Sequence, residues 1–335
     1  MGRALVTLQC AVRWFLVGMT AALLGFCHRY QAPLGPAALG LAGVGPGPGP
    51  RAWWVADRGA DRLLELDAEL LIRRSLELAA PVALASSPDG FSWVVSARQS
   101  GPWGIHRLIR LDPSGAAVLE WDLPSVRGLA LSPVGDALVL AGLGQEAALW
   151  RARCTGELER LARLPGARAM ATRGWLTLVA QESGELRVMP SGQDPAPLAT
   201  TILEGHPLGV AVGPGAGWWV LEMRWKGARV ILLDAELELR HATLLDLQRP
   251  MLAGGATERW LWVLDRDRGR ALRLDPVSGV IVRDVELPVQ ALVAGWSTLD
   301  GGVLVASPGA LRRVDGEGVV RSGQGGFAYL AAVGR

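Results

Sequence analysis

The sequence of 335 residues predicts an all-β fold, a seven-bladed β-propeller of four-stranded blades, with a six-bladed ring as the alternative. Three observations lead to this prediction. A short apolar strand motif, often opened by Trp, recurs seven times at intervals of about 42 residues, which is the period of a propeller blade. The 43 Gly and 21 Pro supply many chain reversals. The 14 Trp outnumber the 4 Phe and 2 Tyr, and several recur at the same period.

The recurring motif is predicted to form the second strand of each blade. Its copies cover residues 53–56, 91–94, 137–140, 175–178, 218–221, 260–263 and 303–306. These segments are short, β-branched and aromatic, so they favour strands over the 3.6-residue periodicity of helical repeat arrays. Five tryptophans at blade spacing are predicted to pack between blades: Trp54, Trp93, Trp175, Trp219 and Trp262.

The predicted third strand ends on an aspartate in five blades. These residues are Asp67, Asp112, Asp234, Asp275 and Asp315. An Asp side chain can accept hydrogen bonds from backbone N–H groups of the following turn, so we expect these residues to form turns rather than bind ligands.

The predicted innermost strands are rich in small residues, which suits the crowded axis of a closed ring. They cover residues 81–85, 127–131, 168–171, 207–212, 251–254, 289–294 and 327–333. The last of these is expected to pair with residues 53–56 and so complete the first blade, which removes an open sheet edge. The repeats are weakest between residues 142 and 200, where one irregular segment would instead give six blades.

The N-terminal region has a different composition from the repeats. Residues 1–30 contain an apolar run, Trp14 to Phe26, and are predicted to be a signal peptide or an N-terminal membrane anchor. Residues 31–51 are rich in Pro and Gly and read as a linker, which leaves residues 52–335 for the propeller. Cys27 follows the apolar run as in a lipobox, although Phe26 stands where that motif has a small residue, and is the candidate lipidation site. We therefore predict an exported chain, periplasmic or membrane-anchored.

Charge and motif content exclude several function classes. The 34 basic and 32 acidic residues nearly balance, which argues against nucleic acid as the partner. The Asp265–Gly269 segment resembles the start of a calcium loop, but its interleaved arginines favour a turn with an Asp–Arg pair. We expect no cofactor, and contact with a membrane only through the N-terminal segment.

Several segments carry a family resemblance. Residues 53–67 (WWVADRGADRLLELD) and 262–275 (WVLDRDRGRALRLD) resemble NHL repeats, and residues 206–222 (HPLGVAVGPGAGWWVLE) resemble the related repeats of streptogramin lyase. The resemblance covers about residues 52–333 and implies a propeller. It selects no activity, because such propellers include protein-binding and RNA-binding modules, lyases and lactonases.

Chemistry is expected on one face of the ring, which we call the funnel face. It carries the turns after each second strand and the loops that enter each innermost strand, around the central channel. The candidate ligand-binding residues there are Arg127, Arg168, His206, Glu222, Arg249 and Asp265. Trp103 and Trp225 stand in longer turns beside His106 and Arg224 and are candidate protein or carbohydrate contacts.

Two functions remain open from these residues. The first is a non-catalytic module that binds a protein or a small-molecule ligand on the funnel face. The alternative is an enzyme of the streptogramin-lyase or lactonase kind, in which His206 acts as acid or base, Glu222 orients it, and a divalent metal such as calcium or magnesium takes part. The same charged residues could also simply pair with one another around a water-filled funnel.

Overall fold

In a computed structural model, the chain forms seven sheets of four antiparallel strands, arranged as the predicted propeller. The structure describes residues 53–87, 90–98, 104–191, 196–225, 227–253, 260–288, 291–298 and 301–323, and the backbone of 330–334. The predicted leader, linker and Cys27, as well as Trp103, lie outside these residues. No helix long and apolar enough to cross a membrane occurs within the described ranges.

The first four blades are built from fifteen consecutive strands and one C-terminal strand. Blade 1 has β1 (Trp53–Asp57), β2 (Arg62–Leu66) and β3 (Ile72–Glu77), and blade 2 has β4 (Pro81–Ser86), β5 (Ser92–Ala97), β6 (Ile105–Leu111) and β7 (Ala117–Pro124). Blade 3 has β8 (Val126–Leu131), β9 (Ala137–Ala141), β10 (Ala148–Ala152) and β11 (Leu158–Arg163), and blade 4 has β12 (Ala167–Arg173), β13 (Leu176–Gln181), β14 (Glu185–Pro190) and β15 (Ala199–Ile202).

The remaining strands form blades 5 to 7 and close the ring. Blade 5 has β16 (His206–Val212), β17 (Trp218–Arg224), β18 (Gly227–Leu233) and β19 (Leu239–Leu245), and blade 6 has β20 (Pro250–Leu252), β21 (Leu261–Asp265), β22 (Arg270–Leu274) and β23 (Ile281–Glu286). Blade 7 has β24 (Ala294–Ser297), β25 (Val303–Ser307), β26 (Ala310–Val314) and β27 (Val320–Ser322), and β28 (Leu330–Gly334) pairs with β1. Short 3₁₀ turns cover Arg58–Ala60 and Gly144–Glu146.

The predicted ring closure is confirmed. Strand β28 lies beside β1 in an antiparallel ladder in which Val55 faces Val333 and Ala56 faces Ala332. The segment from 142 to 200 forms parts of blades 3 and 4, so the ring has seven blades and the six-bladed alternative is wrong.

The core lies between neighbouring blades. Leu178 and Val188 of blade 4, for example, belong to one buried apolar cluster with Val220 and Ile231 of blade 5. Each blade therefore buries both of its faces, as the near-continuous apolar second strands require.

Two kinds of predicted residue keep the roles that the sequence indicated. The indole N–H of Trp93 donates to the carbonyl of Gly135 (2.9 Å), and that of Trp262 donates to Gly301 (3.1 Å), each in the following blade. All five turn aspartates accept backbone hydrogen bonds from their turns; Asp67, for instance, accepts from Glu69 (3.0 Å) and Leu71 (2.9 Å).

Two predictions were wrong in detail. Trp175 lies in a turn before β13 and is 49% exposed, so it does not pack between blades. The innermost strand of blade 7 is Ala294–Ser297 rather than residues 289–294. The preceding loop is held by blade 6, because Leu292 N–H donates to the Arg266 carbonyl (3.0 Å), and Ala291 adopts a left-handed φ of 57° that interrupts an extended strand.

In three blades, the arginine two residues before the turn aspartate links its blade to the next one. Arg110 donates to the Cys154 carbonyl (3.2 Å), Arg273 to Gly316 (2.6 Å) and Arg313 to Ala68 (3.3 Å), the last across the closure of the ring. Arg273 also lies over the Trp260 ring, 3.5 Å from its centroid, and Arg110 lies 4.0 Å over Phe91. Each of these two arginines thus combines a charge-assisted hydrogen bond with a cation–π contact at a blade boundary.

His106 links blades 2 and 3. Its Nδ1 accepts a hydrogen bond from the N–H of Val126, the first residue of β8 (3.0 Å), so the ring is neutral in this arrangement. Burial, and to a smaller extent the nearby Arg58, lowers the pKa of His106 below its ordinary value of 6.5.

We predict that Arg273→Met destabilises the propeller by about 1–3 kcal/mol, because it removes a charge-assisted hydrogen bond to a carbonyl and a cation–π contact while keeping the aliphatic bulk. Denaturant unfolding measures the change. Arg160→Met is the matched control, since Arg160 is exposed and lies 5.9 Å over Trp150 without a hydrogen bond to the next blade among the described contacts. Its loss should change stability by less than about 0.5 kcal/mol. Equal effects of the two substitutions would contradict the role of the Arg273 link.

We also predict that stability falls as the pH drops below about 6.5, the ordinary pKa of histidine. Because the folded-state pKa of His106 is lowered, the unfolded chain binds more protons in the window below that value, so the free energy of unfolding decreases there. His106→Asn keeps a hydrogen-bond acceptor but removes the titration, and should flatten the fall in melting temperature between pH 7.5 and 5.5. His241→Asn is the control and should keep the wild-type slope. A wild-type slope in the His106→Asn variant would show that this link carries no pH dependence.

Candidate functional site

The positions that end the second strands are buried on the funnel face. They are Asp57, Ser96, Ala141, Gln181, Glu222, Asp265 and Ser307, and all of them are shielded from solvent. The predicted ligand-binding residues Glu222 and Asp265 are therefore inside their blades rather than on the channel surface.

Three of these buried side chains fasten the loop that enters the innermost strand of the same blade. Glu222 accepts a hydrogen bond from Gly205 N–H (3.2 Å), and Asp265 accepts one from Gln248 N–H (2.9 Å). The Ser96 hydroxyl donates to the Ala79 carbonyl. We call Ser96, Glu222 and Asp265 the clasp residues.

The local sequence accommodates these contacts. Gly205 precedes His206, and a Cβ at this position would lie 2.6 Å from the Met223 carbonyl oxygen and 3.0 Å from the Glu222 carboxyl carbon. Only glycine leaves the space in which the Gly205 N–H reaches the carboxylate without a shift of the backbone.

Arginines neutralise the buried carboxylates. Arg229 on β18 contacts Glu222 Oε1 (2.7 Å), and Arg62 on β2 contacts Asp57 Oδ2 (3.0 Å). In blade 6 the equivalent Arg270 instead pairs with Asp284, and Asp265 also accepts from the N–H of Asp267 in its own turn (3.3 Å). Because each carboxylate has its hydrogen bonds satisfied inside the protein, its role is structural.

The predicted residues at the start of the innermost strands occupy two kinds of position. In blades 2 to 5 the first ladder is interrupted by a β-bulge, and the extra residue is Val82, Arg127, Arg168 or Leu208. His206 and Arg249 lie earlier, directly before the first paired proline of blades 5 and 6. A bulge changes the direction of a side chain, so Arg127 and Arg168 point in a direction that regular strand pairing would not give them.

Three predicted residues from consecutive blades meet around Glu182, which the sequence analysis missed. Arg168 Nε lies 2.8 Å and Arg127 Nη1 lies 3.9 Å from the same carboxylate oxygen of Glu182. The ring Nδ1 of His206 lies 3.3 Å from the backbone oxygen of Glu182 and must donate, because a carbonyl only accepts. We call Arg127, Arg168, Glu182 and His206 the mouth cluster.

Arg127 is the most enclosed member of the mouth cluster. Its side chain is only 10% exposed, its Nη1 donates to the Ala167 carbonyl at 3.4 Å, and its buried Nε has no hydrogen-bond partner among the residues that the structure describes. Burial lowers the pKa of the Arg127 guanidinium, with Arg168 adding to the decrease and Glu182 opposing it.

Arg249 belongs to a second group on the same face. It pairs with Asp267 (3.2 Å) of the Asp265–Gly269 turn, and the backbone N–H of Arg249 approaches Asp265 at 3.4 Å. The described contacts do not bring Arg249 into the mouth cluster. Trp225 lies on the turn after β17 with 98% of its surface exposed.

The geometry of His206 and Glu222 does not favour the enzyme alternative. Glu222 is bound by Arg229 and the Gly205 N–H, and among the described hydrogen bonds none joins its carboxylate to the His206 ring. Within the described residues, no group of three or more His, Cys, Asp or Glu could hold a metal ion.

Sequence signals could have located Glu182. It follows Gln181 and so occupies the first position of the turn after β13, equivalent to Arg58 and Arg266 after Asp57 and Asp265. Because strand side chains alternate in direction, the residue after each buried strand-end position has different surroundings from that position, and this distinguishes Glu182 from Gln181.

Comparison with solved structures identifies the same fold. A functionally unknown protein from Desulfotomaculum acetoxidans DSM 771 aligns with a TM-score of 0.68 at 14% identity, covering 84% of this chain and 98% of that chain. Streptogramin B lyase aligns with a TM-score of 0.59 at 16% identity, covering 73% and 82% of the two chains. Catalytically inactive virginiamycin B lyase from Staphylococcus aureus with quinupristin aligns at 0.61 and 15% identity, covering 81% and 91%.

No protein-family model and no curated protein matches the chain. The resemblance to streptogramin-lyase-like propellers that the sequence indicated is confirmed for the fold, and at these identities the likeness extends to the fold alone.

Proposed function

We propose that this propeller is a non-catalytic binding module that holds a protein or small-molecule ligand on its funnel face. The observation that carries the proposal is the mouth cluster, in which side chains of blades 3, 4 and 5 converge on Glu182: Arg127 and Arg168 on its carboxylate and His206 on its backbone carbonyl. Its accessible groups can be recruited by a ligand, because Arg168 and Glu182 have 42% and 43% of their side-chain surfaces exposed.

The rest of the funnel face supports binding rather than catalysis. Arg249 is partly exposed, and the fully exposed Trp225 lies beside Arg224. Arg and Trp are the residue types that most often dominate binding interfaces. Glu222, the acidic residue that the enzyme alternative requires, is instead buried and bonded inside its blade.

Likeness to the two lyases does not change this proposal. Streptogramin B lyase and virginiamycin B lyase are enzymes, but the fold hosts unrelated functions, and another aligned protein is functionally unknown. A lyase would need an acid–base pair that a substrate can reach. Here the Glu222 partner of that pair is buried and neutralised by Arg229.

We further propose that the chain is exported and is either processed or retained at a membrane by its N-terminal segment. The apolar run Trp14 to Phe26, followed by the linker 31–51, supports this from the sequence. Cys27 is the proposed lipidation site.

The combined variant Arg127→Gln, Arg168→Gln and Arg249→Gln should lower capture of a binding partner from cell extract at least tenfold, because it removes three positive charges from the funnel face. The captured proteins and small molecules are identified by mass spectrometry. The double variant Arg168→Gln and Arg249→Gln avoids the enclosed Arg127 and should show a smaller loss in the same direction.

The matched control replaces three paired arginines away from the funnel face. Arg153 pairs with Glu157 (3.0 Å), Arg240 with Asp234 (2.8 Å) and Arg283 with Glu317 (3.2 Å). The corresponding triple Gln variant has the same change in net charge and should retain capture. Unchanged capture by the funnel-face variant, with an intact melting transition, would contradict the proposed binding surface.

Export is tested with alkaline phosphatase fused to the C-terminus, because this reporter is active only outside the cytoplasm of a bacterial host. The full chain should give phosphatase activity, and deletion of residues 4–26 should abolish it. Cys27→Ser should move the protein from the membrane fraction to the soluble exported fraction if Cys27 is lipidated. A full chain that stays unprocessed in the cytoplasm would overturn the export proposal.

A further inference from the structure

The mouth cluster already holds a carboxylate, and that carboxylate belongs to the protein. Glu182 lies between two arginines and meets both through one oxygen, Oε1, at 2.8 Å from Arg168 and 3.9 Å from Arg127. The neighbouring His206 ring is fixed through the Glu182 backbone rather than through its carboxylate. The Glu182 side chain can therefore move away without breaking the His206 contact.

The arginine donors exceed what Glu182 uses. In the described contacts Arg168 engages Glu182 through Nε alone, and Arg127 approaches it only through Nη1. A guanidinium carries five N–H donors in a planar fork that matches a carboxylate or a phosphate with two parallel hydrogen bonds. Within the described part of the chain, the buried Nε of Arg127 has no hydrogen-bond partner, which is unfavourable for an enclosed charged group.

Within the mouth cluster itself, positive charge exceeds negative charge. Arg127 and Arg168 carry two positive charges beside the single carboxylate of Glu182. Other acidic residues in the turns and entry loops of this face pair with other arginines: Glu146 with Arg163, Glu204 with Arg224 and Asp267 with Arg249. Two guanidinium groups beside one carboxylate attract and orient anions.

We propose that Arg127 and Arg168 bind a carboxylate or phosphate group of an external ligand, and that Glu182 occupies this position in the free protein as an internal competitor. This inference rests on the proposed binding function and specifies the chemistry of the ligand. The anionic group of the ligand replaces the Glu182 side chain, which turns outward into solvent. His206 stays in place beside the bound group and offers its second ring nitrogen.

The exchange is chemically balanced because no covalent bond changes. The ion pair between Arg168 and Glu182 is half exposed and therefore weak. It is replaced by an ion pair with the ligand that can engage the guanidinium groups of both Arg127 and Arg168. The built-in competitor lowers the affinity for isolated small anions, and additional contacts on the funnel face, including Trp225, would favour ligands that carry more than the anionic group.

Two probes test the inference by calorimetric titration of the full propeller at low ionic strength: succinate and inorganic phosphate. Glu182→Gln should increase the affinity for at least one probe by about five- to tenfold, because it removes the competing charge but keeps the size of the side chain. Arg127→Gln and Arg168→Gln should each lower that affinity at least tenfold. Tighter binding of succinate assigns a carboxylate ligand, and tighter binding of phosphate assigns a phosphate ligand.

Glu146→Gln is the matched control, since Glu146 pairs with Arg163 at 3.1 Å on the same face but lies outside the mouth cluster. It should leave both affinities unchanged. The inference is overturned if Glu182→Gln binds both probes no better than the control does, or if the arginine variants fold normally and keep the affinity. If either result is obtained while the triple variant of Arg127, Arg168 and Arg249 still loses partner capture, the proposed binding function stands and only the anionic nature of the ligand is wrong.

Discussion

The antiparallel pairing of β28 with β1 is the interaction on which the rest of the structure depends. It joins residues near the two ends of the propeller, with Val55 opposite Val333, and gives blade 1 the same four strands as the other six blades. Each blade can then bury both faces against its neighbours, so the blades are held at fixed angles around one axis. The mouth cluster depends on this arrangement. Arg127, Arg168 and His206 lie on the innermost strands of three successive blades, and these strands approach one another only around the central axis.

The hydrogen bonds of the loops that enter the innermost strands explain why the predicted acidic residues are buried. The loops that enter the innermost strands carry N–H and carbonyl groups that need partners, and Glu222, Asp265 and Ser96 supply them. Arg229 then compensates the buried charge of Glu222. An acidic residue at this position is thus explained by the stability of the blade, without a ligand.

The sequence predicted the features that depend on local chemistry and on periodicity. The turn aspartates were correct because an Asp side chain bonds to residues two to four positions away, and the blade number followed from a repeat of nearly constant length. Trp175 and the innermost strand of blade 7 were wrong because distant contacts decide them; the segment before Ala294 is held by blade 6. Arg127 and Arg168 were found, but Glu182 was not, because bulges on the inner strands determine which turn residue they meet.

The arginines of this chain show why position, rather than residue type, separates structural from functional charge. Arg110, Arg273 and Arg313 donate to backbone carbonyls of the next blade. A carbonyl cannot leave without unfolding its turn, so these contacts are permanent parts of the ring. Arg127 also donates to the Ala167 carbonyl, but it shares with Arg168 a side-chain carboxylate that can rotate about its own bonds into solvent. An exchangeable partner is what a binding site requires, and within the mouth cluster Glu182 meets that condition, which directs the search for a ligand to the blades 3 to 5 side of the funnel.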